Sequence, residues 1–411
     1  MRRPRAGSWL VIGLLAVMVL ASCAEVEPPA SPSPAASASV TLSPSATPSP
    51  PVIPASWRRI APLPLGGRWD EAAVWDGEEV LVFGRKQLQR EPYCRYITYS
   101  YDIADDAWTR LPGAPGPAGC YEGSDEVVWT GSEALLWGVT NTAYDPETNT
   151  WRKLPRPPAG FGGPSMIAWT GTEMIGWGGG CCGGADATGA AYSPATNSWR
   201  RMPPSPLSAR HAAGVWTGTE LILAGGQGPD FTSGPPTYAD AAAYDPIGRT
   251  WRSIAPMPSP RYASAAWWDG TEAFFLGGRR FGTTVGGWTE GLLRRGVAYD
   301  PSTDRWRRIA AMEVPRQGEV SVWTGDQLLV WGGIGESGSI PPHGESYDPL
   351  TDTWTPLPRS PLRARTGAIT AWTGSEMLIW GGEDARLSDW TGSEPPSGAY
   401  PSDGAALTPA G

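Results

Sequence analysis

Histidine, the side chain that most often serves acid–base catalysis and metal binding, is scarce in this 411-residue sequence. Only His211 and His343 occur, and neither lies at metal-ligand spacing from Cys181 and Cys182. The sequence contains no Gly-x-Ser-x-Gly turn, no His-Glu-x-x-His motif and no phosphate-binding loop. We therefore expect no metal and no cofactor, and we identify no catalytic set.

Arginine recurs at one position, immediately before a short apolar segment. The copies are Arg68, Arg210, Arg261, Arg316 and Arg365. His211 and Tyr262 follow directly after two of them. A guanidinium group binds a carboxylate or sulfate through two parallel hydrogen bonds, so several such arginines together would form an anion site. The alternative is structural, because an arginine at this position can instead bond to the backbone between neighbouring repeats.

Two of the 23 tryptophans fall in long loops outside the repeated pattern described next. Trp288 lies within residues 279–296 and Trp390 within residues 383–398. Exposed aromatic rings suit stacking on sugar rings, so both are candidate carbohydrate contacts. The alternative is that each ring packs locally inside its own loop.

The dominant feature of the sequence is a repeat. A unit made of an apolar stretch, a Trp, Thr-Gly or Asp-Gly and a second apolar stretch occurs seven times, with its tryptophan at Trp75, Trp129, Trp169, Trp216, Trp268, Trp323 and Trp372. The glycine supplies the positive φ that a tight hairpin needs. A second unit, Tyr-Asp-Pro followed by a Trp, begins at Tyr144, Tyr244, Tyr299 and Tyr347, and weaker copies begin at Tyr101 and Tyr192. Its Asp and Pro favour another tight turn. Two hairpins give four strands per repeat.

Seven such sheets arranged radially form a β-propeller, which leaves only short strand edges exposed. The seventh unit lacks a final strand with a Trp, whereas residues 57–62 near the N-terminus match residues 251–256. We therefore predict an all-β fold over residues 56–411. It is a seven-bladed propeller of four-stranded antiparallel blades, in which the N-terminal strand completes the last blade.

The glycine doublets, the spaced Tyr and Trp and a period of about fifty residues resemble kelch repeats over residues 57–400. Resemblance to the kelch and galactose oxidase superfamily implies that the arginines surround the mouth of a central channel. It also implies that Cys94 and Cys120 lie on one face and form a disulfide. Cys181 and Cys182 either pair with each other or stay reduced. The copper site of galactose oxidase needs two Tyr and two His, and neither histidine here lies in a matching motif.

The N-terminus has the layout of an export signal. Residues 1–23 contain three arginines, an apolar run from Trp9 to Leu20 and then Ala-Ser-Cys. This ending resembles a bacterial lipobox, in which the cysteine, here Cys23, receives a lipid. Residues 24–55 are rich in Pro, Ser and Ala and predict a disordered tether. We expect an extracytoplasmic protein that is lipid-anchored to the outer face of the cell membrane, with simple secretion as the alternative.

The charge excludes one class of partner. Beyond residue 23 the chain has 29 basic and 41 acidic residues, so we expect no nucleic acid ligand and no membrane contact other than the anchor. We predict a monomeric, non-catalytic module that binds carbohydrate, cell-wall or protein ligands on one propeller face. The alternative is a sugar-modifying enzyme resembling kelch-type sialic-acid mutarotases, which use arginine and acidic residues around the channel mouth. Whether the protein is an enzyme stays open.

Overall fold

The structure is a computed structural model that describes most of the chain beyond the predicted tether. The described residues are 54–65, 71–87, 94–117, 125–159, 161, 163–179, 187–228, 236–262, 264–284, 287–341, 343–384 and 400–410. All of them lie in one compact unit, Val52–Gly411. The predicted leader, and the predicted tether up to residue 53, lie outside them. Within the described ranges, no helix has the length and apolar character needed to cross a membrane.

The predicted all-β fold of seven four-stranded antiparallel sheets is confirmed. Blade one contains β2 (Ala72–Trp75), β3 (Glu79–Gln87), β4 (Cys94–Asp102) and β5 (Ala107–Leu111). Blade two contains β6 (Glu126–Trp129), β7 (Ala134–Trp137), β8 (Thr142–Asp145) and β9 (Thr150–Lys153). Blade three contains β10 (Met166–Trp169), β11 (Met174–Trp177), β12 (Gly189–Ser193) and β13 (Ser198–Arg201). Blade four contains β14 (His211–Trp216), β15 (Leu221–Gln227), β16 (Ala241–Asp245) and β17 (Thr250–Ile254).

The remaining three blades include two that carry extra strands. Blade five contains β18 (Ala265–Trp268), β19 (Ala273–Leu276), β22 (Arg295–Asp300) and β23 (Arg305–Ala311), with an added hairpin of β20 (Arg279–Thr284) and β21 (Gly287–Leu292). Blade six contains β24 (Gln317–Trp323), β25 (Leu328–Ile334), β26 (Glu345–Asp348) and β27 (Thr353–Pro356). Blade seven contains β29 (Ile369–Trp372), β30 (Met377–Trp380), β32 (Gly404–Thr408) and β1 (Ser56–Ile60), beside the short pair β28 (Arg365–Thr366) and β31 (Glu383–Asp384).

Local turn chemistry explains why the same four strands form in each repeat. The glycine that follows each hairpin tryptophan has a positive φ in all seven copies, for example +106° at Gly77. In blades one, two, three, five and six, the tyrosine hydroxyl of the second hairpin donates to a turn Asp or Asn with positive φ, as from Tyr347 to Asp352 Oδ1 at 2.8 Å. Asp and Asn adopt this backbone conformation more readily than most residues. The residues that specify these tight turns therefore lie within the repeat itself.

The blades are joined by a cycle of tryptophan hydrogen bonds. The tryptophan of every fourth strand donates its Nε1 hydrogen to a backbone carbonyl at or just beyond the end of the fourth strand of the preceding blade, over 2.6–3.1 Å. The donors are Trp57, Trp108, Trp151, Trp199, Trp251, Trp306 and Trp354. Apolar clusters fill the space between adjacent sheets, such as that of Trp177 and Leu223 between blades three and four. Burial of these faces is the main source of stability.

Strand β1 forms the outer strand of blade seven. It pairs with β32 in antiparallel register, with Trp57 opposite Leu407 and Ile60 opposite Gly404. Arg58 in β1 binds Glu376 through two hydrogen bonds of 3.0 and 2.7 Å. Arg252 makes the equivalent pair with Glu220 inside blade four. The N-terminal strand therefore takes the same place in its sheet as β17 takes in blade four.

The segment 279–296 differs from the sequence-based expectation. We predicted a long loop there, but β20 and β21 pair over Arg279–Leu292 and Thr284–Gly287 to form a hairpin. Trp288 lies in β21 opposite Thr283. The alternation of apolar and polar residues that is typical of a strand is interrupted here by Gly282, Gly286 and Gly287. The sequence pattern alone therefore did not indicate a strand pair.

Candidate functional site

The connections between second and third strands, and those between successive blades, meet at one end of the sheets. We call this end the loop face. Four of the five arginines predicted as an anion site lie there within described residues, and their side chains are almost fully buried. Arg210, Arg261 and Arg365 are 1% exposed and Arg316 is 0% exposed. They are therefore not presented at the channel mouth, which corrects that part of the prediction.

Each buried arginine holds together the connections of its own blade. Arg365 Nη1 donates to the carbonyl of Gly381 at 3.0 Å, and Arg316 Nη1 donates to that of His343 at 3.1 Å. We had expected side-chain bonds between blades as the structural alternative, and this is wrong in detail. It is the arginine backbone that reaches the preceding blade, since Gly226 N donates to the carbonyl of Arg261 at 2.8 Å.

Three of these arginines also bind a carboxylate. Arg210 pairs with Asp240 at 2.5 Å, Arg316 with Glu345 at 2.5 Å and Arg365 with Asp403 at 2.8 Å. Arg261 bonds to three backbone carbonyls instead, and burial lowers the pKa of its guanidinium to about 10. These contacts occupy the guanidinium groups that an anion site would need, so all four arginines stabilise the structure, through bonds within their own blades.

The other predicted site residues are not brought together. His211 begins β14, is half-buried, and burial lowers the pKa of its imidazole. Tyr262 forms a backbone bridge with Arg279 in blade five. Arg68, Trp390, Cys23 and Cys120 lie outside the described residues, as do Cys181 and Cys182. Cys94 begins β4 and Trp288 lies in β21, but the side chains of both are outside the description, so the predicted disulfide stays a prediction.

Three acidic residues in or next to the innermost strands have a raised pKa. Desolvation raises the pKa of Glu319 to about 7, although the residue as a whole remains partly exposed. Desolvation also raises the pKa of Asp125 and that of Glu126, although Glu126 as a whole residue is exposed. Asp125 accepts a hydrogen bond from Thr140 N at 2.9 Å beside a cavity of about 20 Å³, which has room for about one water molecule. This cavity is too small for a sugar or peptide.

A much larger groove lies on the loop face between blades six and seven. Its volume is about 490 Å³. It is lined by Trp331, Gly332, Ile340, Pro341, His343, Arg359, Ser360, Pro361, Leu362, Arg363 and Ala364. One wall is the connection from β25 to β26, and the other is the connection from β27 to β28. We call it the six–seven groove.

The six–seven groove combines apolar and positively charged surface. Ile340 is 40% exposed, which is unusual for a large apolar side chain in this protein. Arg359 is exposed, and Arg363 keeps 72% of its side chain exposed while lying 3.6 Å from the Asp384 carboxylate. His343 Nε2 lies 3.4 Å from the Glu313 carboxylate. Such a surface favours a ligand that presents both apolar and acidic groups.

Hydrogen bonds fix both walls of this groove. Arg316 holds the carbonyl of His343 from beneath one wall. On the other wall, Trp57 Nε1 donates to the carbonyl of Pro358 at 3.0 Å and Arg59 Nη2 to that of Pro361 at 2.8 Å. The groove is therefore held by one buried arginine and by the N-terminal strand, and its shape is largely preformed.

Sequence reasoning did not select this groove. Arg359, Arg363 and Ile340 belong to no repeated motif, and the connection in blade six was not recognised as long. One signal was present in the sequence, because residues 357–363 place Arg359 between two prolines and Arg363 shortly after the second, at a point where the other repeats have fewer charges. The meeting of that segment with Ile340 follows only from the packing of two blades.

Seven radially arranged sheets with this turn chemistry define a β-propeller of kelch-like repeats. No family model matches the chain. Kelch-like protein 33 of Homo sapiens is 31% identical over 147 residues, which are 36% of this chain and 26% of that protein. Kelch-like protein terF of Aspergillus terreus is 26% identical over 236 residues, which are 52% of this chain and 50% of that protein. The chain thus spans half or less of the length of these two relatives.

Solved structures agree on the fold. YjhT superposes with a TM-score of 0.53 at 16% identity, covering 72% of this chain and 99% of that one. A fungal alcohol oxidase in complex with copper gives a TM-score of 0.61 at 14% identity, covering 86% and 76%. At such identities the likeness concerns the fold alone. The chain therefore has a seven-bladed propeller fold whose repeats resemble those of kelch proteins.

Proposed function

We propose that this protein is a non-catalytic binding module, held outside the cell membrane by a lipid on Cys23, and that it binds a protein partner in the six–seven groove. The observation that carries the proposal is a preformed groove of about 490 Å³ with an exposed isoleucine on one wall and two exposed arginines on the other. Polar loops at a rigid scaffold are where binding usually occurs.

The chemistry of the groove favours an acidic, partly apolar peptide segment. Arg359 and Arg363 offer charge-assisted hydrogen bonds to carboxylates, and an apolar side chain of the ligand would cover Ile340. Two exposed arginines in a protein of net charge −9 also provide local attraction for an acidic segment that the rest of the surface would repel.

A peptide selection tests this proposal. Random 12-residue peptides displayed on phage are selected on the purified full chain, and we expect the bound peptides to be enriched in Asp, Glu and large apolar residues. Ile340→Asp should weaken their binding by about tenfold or more, since it places a charge at the centre of the contact.

The matched control is Ile247→Asp. Ile247 is 92% exposed, but it lies in the turn between β16 and β17 at the opposite end of the sheets. This variant should bind the selected peptides within about twofold of the parent chain, as expected for a site outside the contact. Equal binding by all three chains contradicts the proposal, and so does selection of glycans but no peptides in a parallel glycan array.

Carbohydrate and cell-wall ligands remain the alternative class for this module. The main sequence evidence for a carbohydrate ligand is the pair Trp288 and Trp390. The structure describes neither side chain. We do not propose the mutarotase-like activity, because it requires arginines that meet a substrate at the channel mouth. The four described arginines are buried and engaged with carbonyls or carboxylates.

The proposed anchor rests on the arginines and apolar run of residues 1–20 and on Cys23 after Ala-Ser. In cells that attach lipids to exported proteins, we expect the parent chain to partition into the detergent phase on Triton X-114 extraction. Cys23→Ser should move it to the aqueous phase, because no acyl chains remain to enter the micelle. If both proteins partition alike, the lipid anchor is wrong and simple secretion replaces it.

A further inference from the structure

A second groove, between blades seven and one, is lined by three cationic side chains. Its volume is about 240 Å³, and its lining residues are Pro64, Leu65, Lys86, Arg95, Ile97, Tyr99 and Arg110. We call it the basic groove. It is separate from the six–seven groove and shares no lining residue with it.

Strand register brings the charged residues to one face of blade one. Lys86 in β3 lies directly opposite Arg95 in β4, and Tyr99 in β4 lies directly opposite Arg110 in β5. Directly opposed residues share a face, and residues an even number apart along a strand do so as well. Lys86, Arg95, Tyr99 and Arg110 therefore all lie on the face that turns toward blade seven.

The three cations of this groove form no direct ion pair within the described part of the chain. Lys86, Arg95 and Arg110 are all exposed. Like charges directly opposite each other on a sheet destabilise it. A bound anion would remove the repulsion between Lys86 and Arg95.

The uncharged walls restrict the kind of anion. Tyr99 contributes a half-buried aromatic ring that also contacts Trp108, with 6.2 Å between the ring centroids, and Pro64 and Leu65 add apolar surface. An aromatic and aliphatic wall suits the apolar face of a sugar ring, while the arginine forks suit a carboxylate. We propose that the basic groove binds an acidic carbohydrate, in which carboxylate groups are attached to sugar rings.

Calorimetric titration of the full chain with tri-galacturonate tests this assignment. We expect saturable binding that weakens as salt rises, because the charges are exposed and therefore screened. Lys86→Gln combined with Arg95→Gln should weaken binding by about tenfold or more, since it removes two charge-assisted contacts. Both residues are exposed, so the folded state should survive the change.

The control carries the same change of charge elsewhere. Lys153→Gln combined with Arg308→Gln replaces two exposed residues of outer strands, in blades two and five, and should bind within about twofold of the parent chain. Tyr99→Leu tests the aromatic wall and should weaken binding of tri-galacturonate while leaving binding of inorganic tripolyphosphate unchanged.

Two results would overturn the proposal. One is no saturable heat with tri-galacturonate at millimolar concentration. The other is equal loss of binding in the two double variants, which would mean attraction by overall charge alone. Because peptide binding in the six–seven groove does not involve these residues, either result leaves the proposed protein-binding function to its own test.

Discussion

Arg316→Met is expected to lower the free energy of unfolding by about 3–5 kcal/mol, because it leaves a buried carboxylate without its partner. Arg316 is fully buried, and its Nη2 lies 2.5 Å from Oε1 of Glu345, which is 2% exposed by side chain. The second oxygen, Oε2, accepts a hydrogen bond from Glu313 N at 2.9 Å. Urea titration followed by tryptophan fluorescence measures the loss.

Blade seven supplies the matched control for this prediction. Arg365 occupies the same position as Arg316 and is as deeply buried, but its partner Asp403 keeps 40% of its side chain exposed. Water can therefore solvate Asp403 after Arg365→Met, and we expect a smaller loss of about 1–3 kcal/mol from the hydrogen bonds alone. In blade six, adding Glu345→Leu to Arg316→Met should restore most of the lost stability. Equal losses in the two blades would contradict this explanation.

The same arginine also supports the six–seven groove, which links stability to binding. Arg316 fixes the carbonyl of His343 in one wall, so its replacement should loosen that wall even where the chain remains folded. The opposite wall depends on β1 through Trp57 and Arg59. The proposed binding surface therefore rests on two elements that are far apart in sequence and adjacent in the ring.

Features that are repeated in every blade could be predicted from the sequence. The hairpin glycines, such as Gly77, must adopt a positive φ, and the Tyr-Asp-Pro turns recur for an equally local reason. The fold class followed from counting these turns, and the structure confirms it. The tyrosine hydroxyl bonds to Asp106 and Asp352 show that such contacts span only five residues.

Features that depend on long-range pairing could not be predicted in this way. The arginine positions were found, but their burial depends on carboxylates such as Asp240, thirty residues beyond Arg210. Lys86 and Arg95 meet only because β3 and β4 pair in one register. A shift by one residue would place the two charges on opposite faces of the sheet. The sequence carries the charges, and the register decides whether they form a site.

Removal of strand β1 is expected to have the second large effect. A chain lacking residues 24–60 loses Ile60, which is 6% exposed, together with the Arg58–Glu376 pair and the Trp57 bond to Pro358. Truncating one buried isoleucine to alanine lowers the free energy of unfolding by about 2–5 kcal/mol. We expect the loss of the whole strand to lower it by more than that. A chain lacking only residues 24–51 keeps β1 and should be as stable as the parent.

Hydrogen exchange of residues 404–408 tests the closed seven-bladed ring most directly. These amides belong to β32, which pairs with β30 on one side and with β1 on the other among the described strands. We predict slow exchange in the parent chain and in the chain lacking 24–51, and fast exchange in the chain lacking 24–60. Equally slow exchange in all three chains would contradict the account, because it would mean that β1 does not complete blade seven.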